Sequence, residues 1–176
     1  MLASRLRRLL LQAQVIALAM SSSAMAYTAL GLATNCKSPI VVVLSGSMEP
    51  GINRGDLLIL SNYAPQDYKN GDITVYEVPG EAIPIVHRVV QTHLEPASET
   101  DLESPPILRF LTKGDNNDVD DVGLYKERER LEPRHVVGKV RGIIPLVGYV
   151  SILFNESPRL RYVLFCLMGL LSLLPK

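Results

Sequence analysis

From Arg8 to Lys37 the chain carries no charged residue, and Val15 to Ala33 is apolar or small almost throughout. About 20 such residues in a helix, at ~1.5 Å each, cover the ~30 Å hydrocarbon core of a bilayer. This stretch constrains the chain more than any other. It predicts a membrane anchor over residues 15–34 and leaves the folded part to the residues after it. Arg5, Arg7 and Arg8 all precede the span, and flanking Lys/Arg stay on the cytosolic side. Residues 1–14 are therefore expected in the cytosol, with the remainder translocated. A rival reading exists, because Ala24-Met25-Ala26 behind a basic start has the form of a cleavable signal peptide. The apolar character running on through Tyr27–Ala33, with Gln12 and Gln14 interrupting the earlier part, favours an uncleaved anchor.

The other end is also apolar. From Tyr162 to Pro175 the sequence is hydrophobic, flanked by Arg159, Arg161 and Lys176. About 14 helical residues reach only ~21 Å, short of a full crossing. Residues 159–176 are expected as a short hydrophobic helix that dips into one leaflet, packs on a partner or spans thinned lipid. A core helix is the plainer alternative.

Between these ends, over residues 35–158, the signals are those of strands. Short β-branched runs at Ile40–Leu44, Leu57–Leu60, Ile73–Glu77, Ile85–Leu94, Ile107–Thr112 and Val136–Val140 are separated by turn residues, notably Arg54-Gly55-Asp56, Asn70-Gly71-Asp72 and Lys113-Gly114-Asp115. They predict a compact, mainly β domain, barrel-like or a folded-over sheet. The acidic, Pro- and Ser-rich segment 95–106 reads as a mobile solvated loop. Tyr125–Leu131 (YKERERL) reads as a solvated charged face. Eighteen Lys+Arg against eighteen Asp+Glu leave no basic excess and argue against a nucleic-acid partner. Cys36 and Cys166 are too few, and too far apart in context, for a disulfide framework. Asn155-Glu156-Ser157 is an N-glycosylation sequon, with Pro158 directly after it.

The residues able to do chemistry are few. The first strand runs into Ser45-Gly46-Ser47-Met48-Glu49-Pro50. Small hydroxyl residues around a glycine at a strand end present a serine where a nucleophile is needed, although the same residues also end strands as ordinary turns. A serine nucleophile needs a base and an oxyanion donor. His87, in Ile85-Val86-His87-Arg88-Val89-Val90, shares a strand face with Ile85 and Val89. It is either a satisfied core histidine or a base poised at a site. His93 and His135 are expected at the surface. Asp115, Asp118, Asp120 and Asp121 follow the Gly114 turn. They lack the EF-hand pattern, so no metal and no cofactor is expected. One of these aspartates could instead orient the histidine.

With these residues in view, the chain resembles the endoplasmic-reticulum-type signal peptidase I family, the catalytic subunits of signal peptidase complexes. The resemblance rests on VVVLSGSMEP (41–50), RGDLLIL (54–60), GDITVYE (71–77), IVHRVV (85–90) and LTKGDNN…DD (111–121), in order. It implies a signal-peptidase-type β domain on the lumenal side of the endoplasmic reticulum membrane. It also implies accessory subunits, contact with membrane lipid, and signal peptides of nascent preproteins as substrates, cut after small residues at −1 and −3. By position it implies Ser47 as nucleophile, Ser45 as an oxyanion-binding side chain, and His87 where other branches carry a lysine base. Asp121 matches the relay acid, with its neighbour Asp120 as the alternative, and Asp115 a supporting acid. Two other readings remain. A Ser–Lys peptidase would use Lys69, Lys113 or Lys139, none of which precedes Arg-Val in a strand. A tethered β scaffold would leave the serine, histidine and aspartates unexplained together.

Overall fold

The computed structural model describes residues 2–63, 68–78, 80–81, 83–95, 106–126 and 129–173. Helix α1 (Leu2–Thr34) leads into strands β1 (Ile40–Val42), β2 (Leu57–Ser61), β3 (Ile73–Tyr76), β4 (Ile85–Glu95), β5 (Ile107–Lys113) and β6 (Val136–Ile144), then α2 (Tyr149–Glu156) and α3 (Pro158–Leu173). The expected loop over 95–106 lies, save its two ends, outside the described residues.

Helix α1 starts well before the expected span, and its stretch Leu6–Thr34 is long and apolar enough to cross a membrane by length and composition. Its apolar side chains find almost no protein to pack on: Leu18 is 61% and Met20 70% exposed. A helix apolar all round suits lipid rather than water. Its C-terminal end is tied to the β domain. The Asn62 N–H donates to the Thr34 carbonyl at 3.0 Å, Asn35 Nδ2 donates to the Asn62 carbonyl at 2.7 Å, and the Tyr63 hydroxyl donates to the Ala33 carbonyl. Carbonyls left open by the last turn are thus satisfied from the end of β2, so the anchor and the sheet are joined at a fixed point.

All six strands pair antiparallel, in the order β1-β2-β6-β3-β4-β5. Among the described residues the ladder does not close into a barrel. It does fold over, because the segment after β5 returns to the segment after β1: the Asn116 N–H donates to the Ser47 carbonyl at 2.9 Å. Neighbouring residues Val75 and Tyr76 on β3 belong to two separate buried clusters. Successive strand residues face opposite sides, so the centre of the sheet is covered on both. One cluster gathers Val43, Met48, Ile52, Leu58 and Leu60 with Val75. The other gathers Val89, Phe110, Tyr125 and Leu131 with Tyr76.

Two expectations change. Tyr125–Leu131 is not simply a solvated face. Tyr125 and Leu131 are each 2% exposed, and Leu131 exchanges backbone hydrogen bonds with Phe110 at 2.9 Å each way. Lys126 and Arg130, between them, do carry ion pairs to Glu81 and Glu95. His93 and His135 are half-buried rather than open surface, His135 because its Nδ1 accepts the Glu132 N–H at 3.2 Å in a capping box. At the C-terminus, α3 has 16 residues, about 24 Å at ~1.5 Å each, still short of a full crossing.

Candidate active site

Ser47 sits just beyond β1 in a loop held from below. The Val43 N–H donates to the Asp56 carbonyl and the Gly55 N–H to the Val43 carbonyl, both at 2.9 Å, keeping the chain extended past the end of β1. The loop then turns, with the Glu49 N–H donating to the Gly46 carbonyl at 3.1 Å. Met48 and Ile52, each 1% exposed, pin it into the core. Their burial leaves Ser47 facing a groove of about 890 Å³ that Val42–Ser45 border on one side and Ile83–His87 on the other.

His87 enters from β4 on the face shared with Val89, as strand alternation predicts. Its Nε2 lies 3.1 Å from Ser47 Oγ and its Nδ1 2.5 Å from Asp121 Oδ2. His87 is 3% and Asp121 1% exposed. Water therefore competes little with that bond, and a low local dielectric strengthens it. The carboxylate accepts Nδ1–H, which leaves the Nε2 lone pair directed at the serine.

Three side chains that the sequence did not single out complete the buried end. Tyr76 donates to Asp121 Oδ2 at 3.0 Å, and Thr112 Oγ1 donates to the same oxygen at 2.5 Å. Having given its one proton to Asp121, Thr112 Oγ1 accepts from the Tyr125 hydroxyl at 2.8 Å. The Tyr125 oxygen in turn accepts the Thr112 N–H at 2.8 Å. Burial pushes the Tyr125 phenol up to about 12 and raises Tyr76 further still. Both therefore stay protonated at any physiological pH and keep their donor roles. A buried carboxylate is costly without partners, and three donors on one oxygen offset that cost. The signal for these residues was present: Tyr76 and Thr112 lie in the GDITVYE and LTKGDNN blocks. Strand alternation alone gave no reason to choose them.

The remaining candidates take distinct places. Ser45 Oγ is 3.3 Å from Ser47 Oγ, at the mouth of the same groove. Asp120 turns away, its Oδ1 accepting the Val122 N–H at 3.2 Å. Asp115 does not reach the imidazole. It accepts two hydrogen bonds from Arg88, from Nε at 2.8 Å and Nη2 at 2.6 Å, while Arg88 Nη1 donates to the Gly71 carbonyl at 2.9 Å. The pair thus ties β4, one residue past His87, to the loop after β5. Lys139 pairs with Asp72. Asn155 is exposed on α2. Among the described residues, no group of three or more His, Cys, Asp or Glu is arranged to hold a metal ion.

Arg88 beside Asp115 holds that carboxyl below its usual value of 3.8. A depressed folded-state value contributes stability above the unfolded value, and that stability is lost as pH falls through the folded one. Asp115→Asn should therefore lower the thermal midpoint at pH 6, by the equivalent of about 0.5–1 kcal/mol for a bidentate but partly exposed pair. The difference from wild type should shrink as pH is lowered toward 2, as the carboxyl, held below 3.8, takes up its proton. A difference of equal size at both pH values would contradict the assignment.

Comparisons with known proteins identify the family. Residues 12–104 match the model of the Peptidase S24-like family, a stretch that contains Ser47 and His87. The chain is 48% identical over 179 residues to the signal peptidase complex catalytic subunit SEC11 of Schizophyllum commune, covering 97% of this chain and 93% of the relative. It is 46% identical over 171 residues to the human signal peptidase complex catalytic subunit SEC11C, covering 97% and 85%. The corresponding subunit SEC11 of Debaryomyces hansenii is 47% identical over 171 residues, covering 96% and 97%. With a serine, a histidine and an aspartate in hydrogen-bonded series on a sheet behind a membrane-length helix, the chain belongs to the family of signal peptidase complex catalytic subunits, serine peptidases with an S24-like domain.

Proposed function

We propose that this chain is the membrane-anchored serine endopeptidase that removes signal peptides from proteins entering the endoplasmic reticulum. It would be held by α1 with its N-terminus in the cytosol and its β domain in the lumen. The observation that carries the proposal is the series Ser47 Oγ–His87 Nε2, His87 Nδ1–Asp121 Oδ2, at 3.1 and 2.5 Å. His87 takes the Ser47 proton as Oγ bonds to the scissile carbonyl carbon. The carbonyl π pair moves onto oxygen, held by the Ser47 N–H and the Ser45 hydroxyl. Asp121 stabilises the imidazolium. The imidazolium then protonates the departing amine as the C–N bond breaks, and water releases the acyl group by the reverse sequence.

The groove supports a peptide substrate. Its walls, the extended segment 42–45 and the start of β4, are mostly apolar. An extended chain laid along strand edges hydrogen-bonds through its backbone and sends alternate side chains into the walls. That suits a requirement at −1 and −3. The short α3 would contact accessory subunits or thinned lipid, and the exposed Asn155 sequon would face the lumen in the same orientation.

Preprotein cleavage by membranes carrying single variants tests the assignment. His87→Ala is expected to lower the rate by about 10⁴ or more, and Ser45→Ala by about 10²–10³, the usual cost of one oxyanion donor. Wild-type cleavage by the His87→Ala form would end the proposal.

A further inference from the structure

The Ser47 N–H can bind an oxyanion only if its peptide plane is held in one orientation, and the residue before it is glycine. Glycine resists rotation of its backbone less than any other residue, so the orientation has to be imposed from outside. The Glu49 N–H, from the same turn, donates to the Gly46 carbonyl at 3.1 Å, and Asn116 adds the contact from another segment. Its side-chain Nδ2 donates to the Gly46 carbonyl at 3.1 Å, and its backbone N–H donates to the Ser47 carbonyl at 2.9 Å. The Gly46 carbonyl and the Ser47 N–H belong to one planar peptide unit and point in opposite directions. Holding the carbonyl on one side therefore aims the N–H on the other.

The rest of the loop brings Asn116 to this position. A Cβ on Gly114 would lie 2.7 Å from the Ser47 carbonyl oxygen, so only glycine lets the two backbones approach this closely. Asp115, the residue before Asn116, is gripped by Arg88, whose neighbour in sequence is His87. The contact to Gly46 is thus referenced to the strand that carries the base.

We infer that Asn116 is a positioning residue that orients the Gly46–Ser47 peptide so that the Ser47 N–H faces the developing oxyanion. The inference rests on the serine-peptidase reading above. Asn116→Asp keeps the shape but turns a carboxylate oxygen toward the Gly46 carbonyl. Asn116→Ala removes the contact and keeps the backbone N–H bond to Ser47.

The test uses the full-length chain in its detergent-solubilised membrane complex, with a signal-peptide substrate and two ligands of one sequence. One ligand ends in an aldehyde and the other in an unreactive amide. Ser47 Oγ adds to the aldehyde carbon as His87 Nε2 takes its proton and the carbonyl pair moves onto oxygen, so that ligand uses the oxyanion site and the amide does not. Both variants should lose roughly tenfold to a hundredfold in kcat, somewhat less than outright loss of a donor, with KM within about threefold. Aldehyde affinity should fall in parallel with kcat, while amide affinity and the thermal midpoint stay at wild-type values. Unchanged kcat in both variants would overturn the inference. So would a joint fall of both affinities and the thermal midpoint, which would assign Asn116 to the fold. Ser47→Ala, assayed alongside, separates the two levels. If it cleaves normally, the serine-peptidase reading fails and the inference with it. If it is inactive while the Asn116 variants match wild type, the inference alone fails.

Discussion

Asp121→Asn is expected to reduce preprotein cleavage by about 10⁴, the loss found when the acid of a Ser-His-Asp series becomes an amide and the imidazole takes the wrong tautomer. The surroundings of Asp121 make the effect severe. Its Oδ2 accepts from His87 Nδ1, Tyr76 and Thr112 together. An amide oxygen left in that position keeps the two hydroxyl bonds but carries no charge to stabilise the imidazolium. An amide nitrogen placed there instead opposes two donors. The fold should survive, since Asp121 also bonds through its backbone N–H to the Thr112 carbonyl at 3.0 Å. Cleavage kinetics with a thermal melt on the same preparation check both halves. Asp120→Asn, whose carboxylate accepts the Val122 N–H among the described residues, should cleave within about threefold of wild type, as surface changes away from a site do. Equal losses from Asp120→Asn and Asp121→Asn would contradict the assignment.

The largest effect on stability is expected at Gly55, far in role from the chemistry. Its φ is +90°, and a Cβ there would lie 2.3 Å from ring atoms of Tyr149 at the start of α2. The left-handed backbone costs an ordinary residue about 1–2 kcal/mol, and forcing the ring aside adds about 1–3 kcal/mol. Gly55→Ala should then destabilise the β domain by about 2–5 kcal/mol, a large share of a stability of ~5–15 kcal/mol. The loop it closes is the one that holds Val43 extended toward the site, so activity should decline at temperatures where wild type is stable. Adding Tyr149→Ala should recover the steric part and leave the backbone part, which a double-mutant cycle in thermal or denaturant melts resolves. A Gly55→Ala protein melting like wild type would contradict the packing described.

The strands were legible because their residues are β-branched and their turns carry Gly, Asn and Asp, so the two signals coincide. Where they diverge, the bounds moved. Strand β6 was expected to stop at Val140, before Arg141-Gly142. It continues to Ile144 because β6 bulges at Arg141, unpaired between Ile59 and Leu60 of β2, and the ladder resumes at Gly142. Strand β1 was expected to reach Leu44 and ends at Val42, since Val43 leaves the ladder for the Asp56 and Gly55 backbones.

The site divides in the same way. The roles of His87 and the serine came only with the resemblance, but that His87 faces the apolar side of its strand, and that the serine lies at a strand end, was legible. The choice between Asp120 and Asp121 was not, because a one-residue register in a loop has no periodicity to read. Their carboxylates separate only in three dimensions. Asn116 and the Tyr76–Thr112–Tyr125 group were missed for a related reason. Their roles depend on contacts between segments distant in sequence, and no local pattern encodes them. Tyr125 and Leu131 were misjudged because the five residues between them are polar or charged save none, and an average over the stretch hides two core anchors at its ends.

The central claim is that Ser47 is the attacking group. The most direct measurement is the rate of preprotein cleavage by the full chain carrying Ser47→Ala, in membranes where its level and thermal midpoint match wild type. The expected result is a loss of about 10⁴–10⁶, leaving only what binding and the oxyanion site supply without a nucleophile. Cleavage at the same signal-peptide bond within tenfold of the wild-type rate would contradict it.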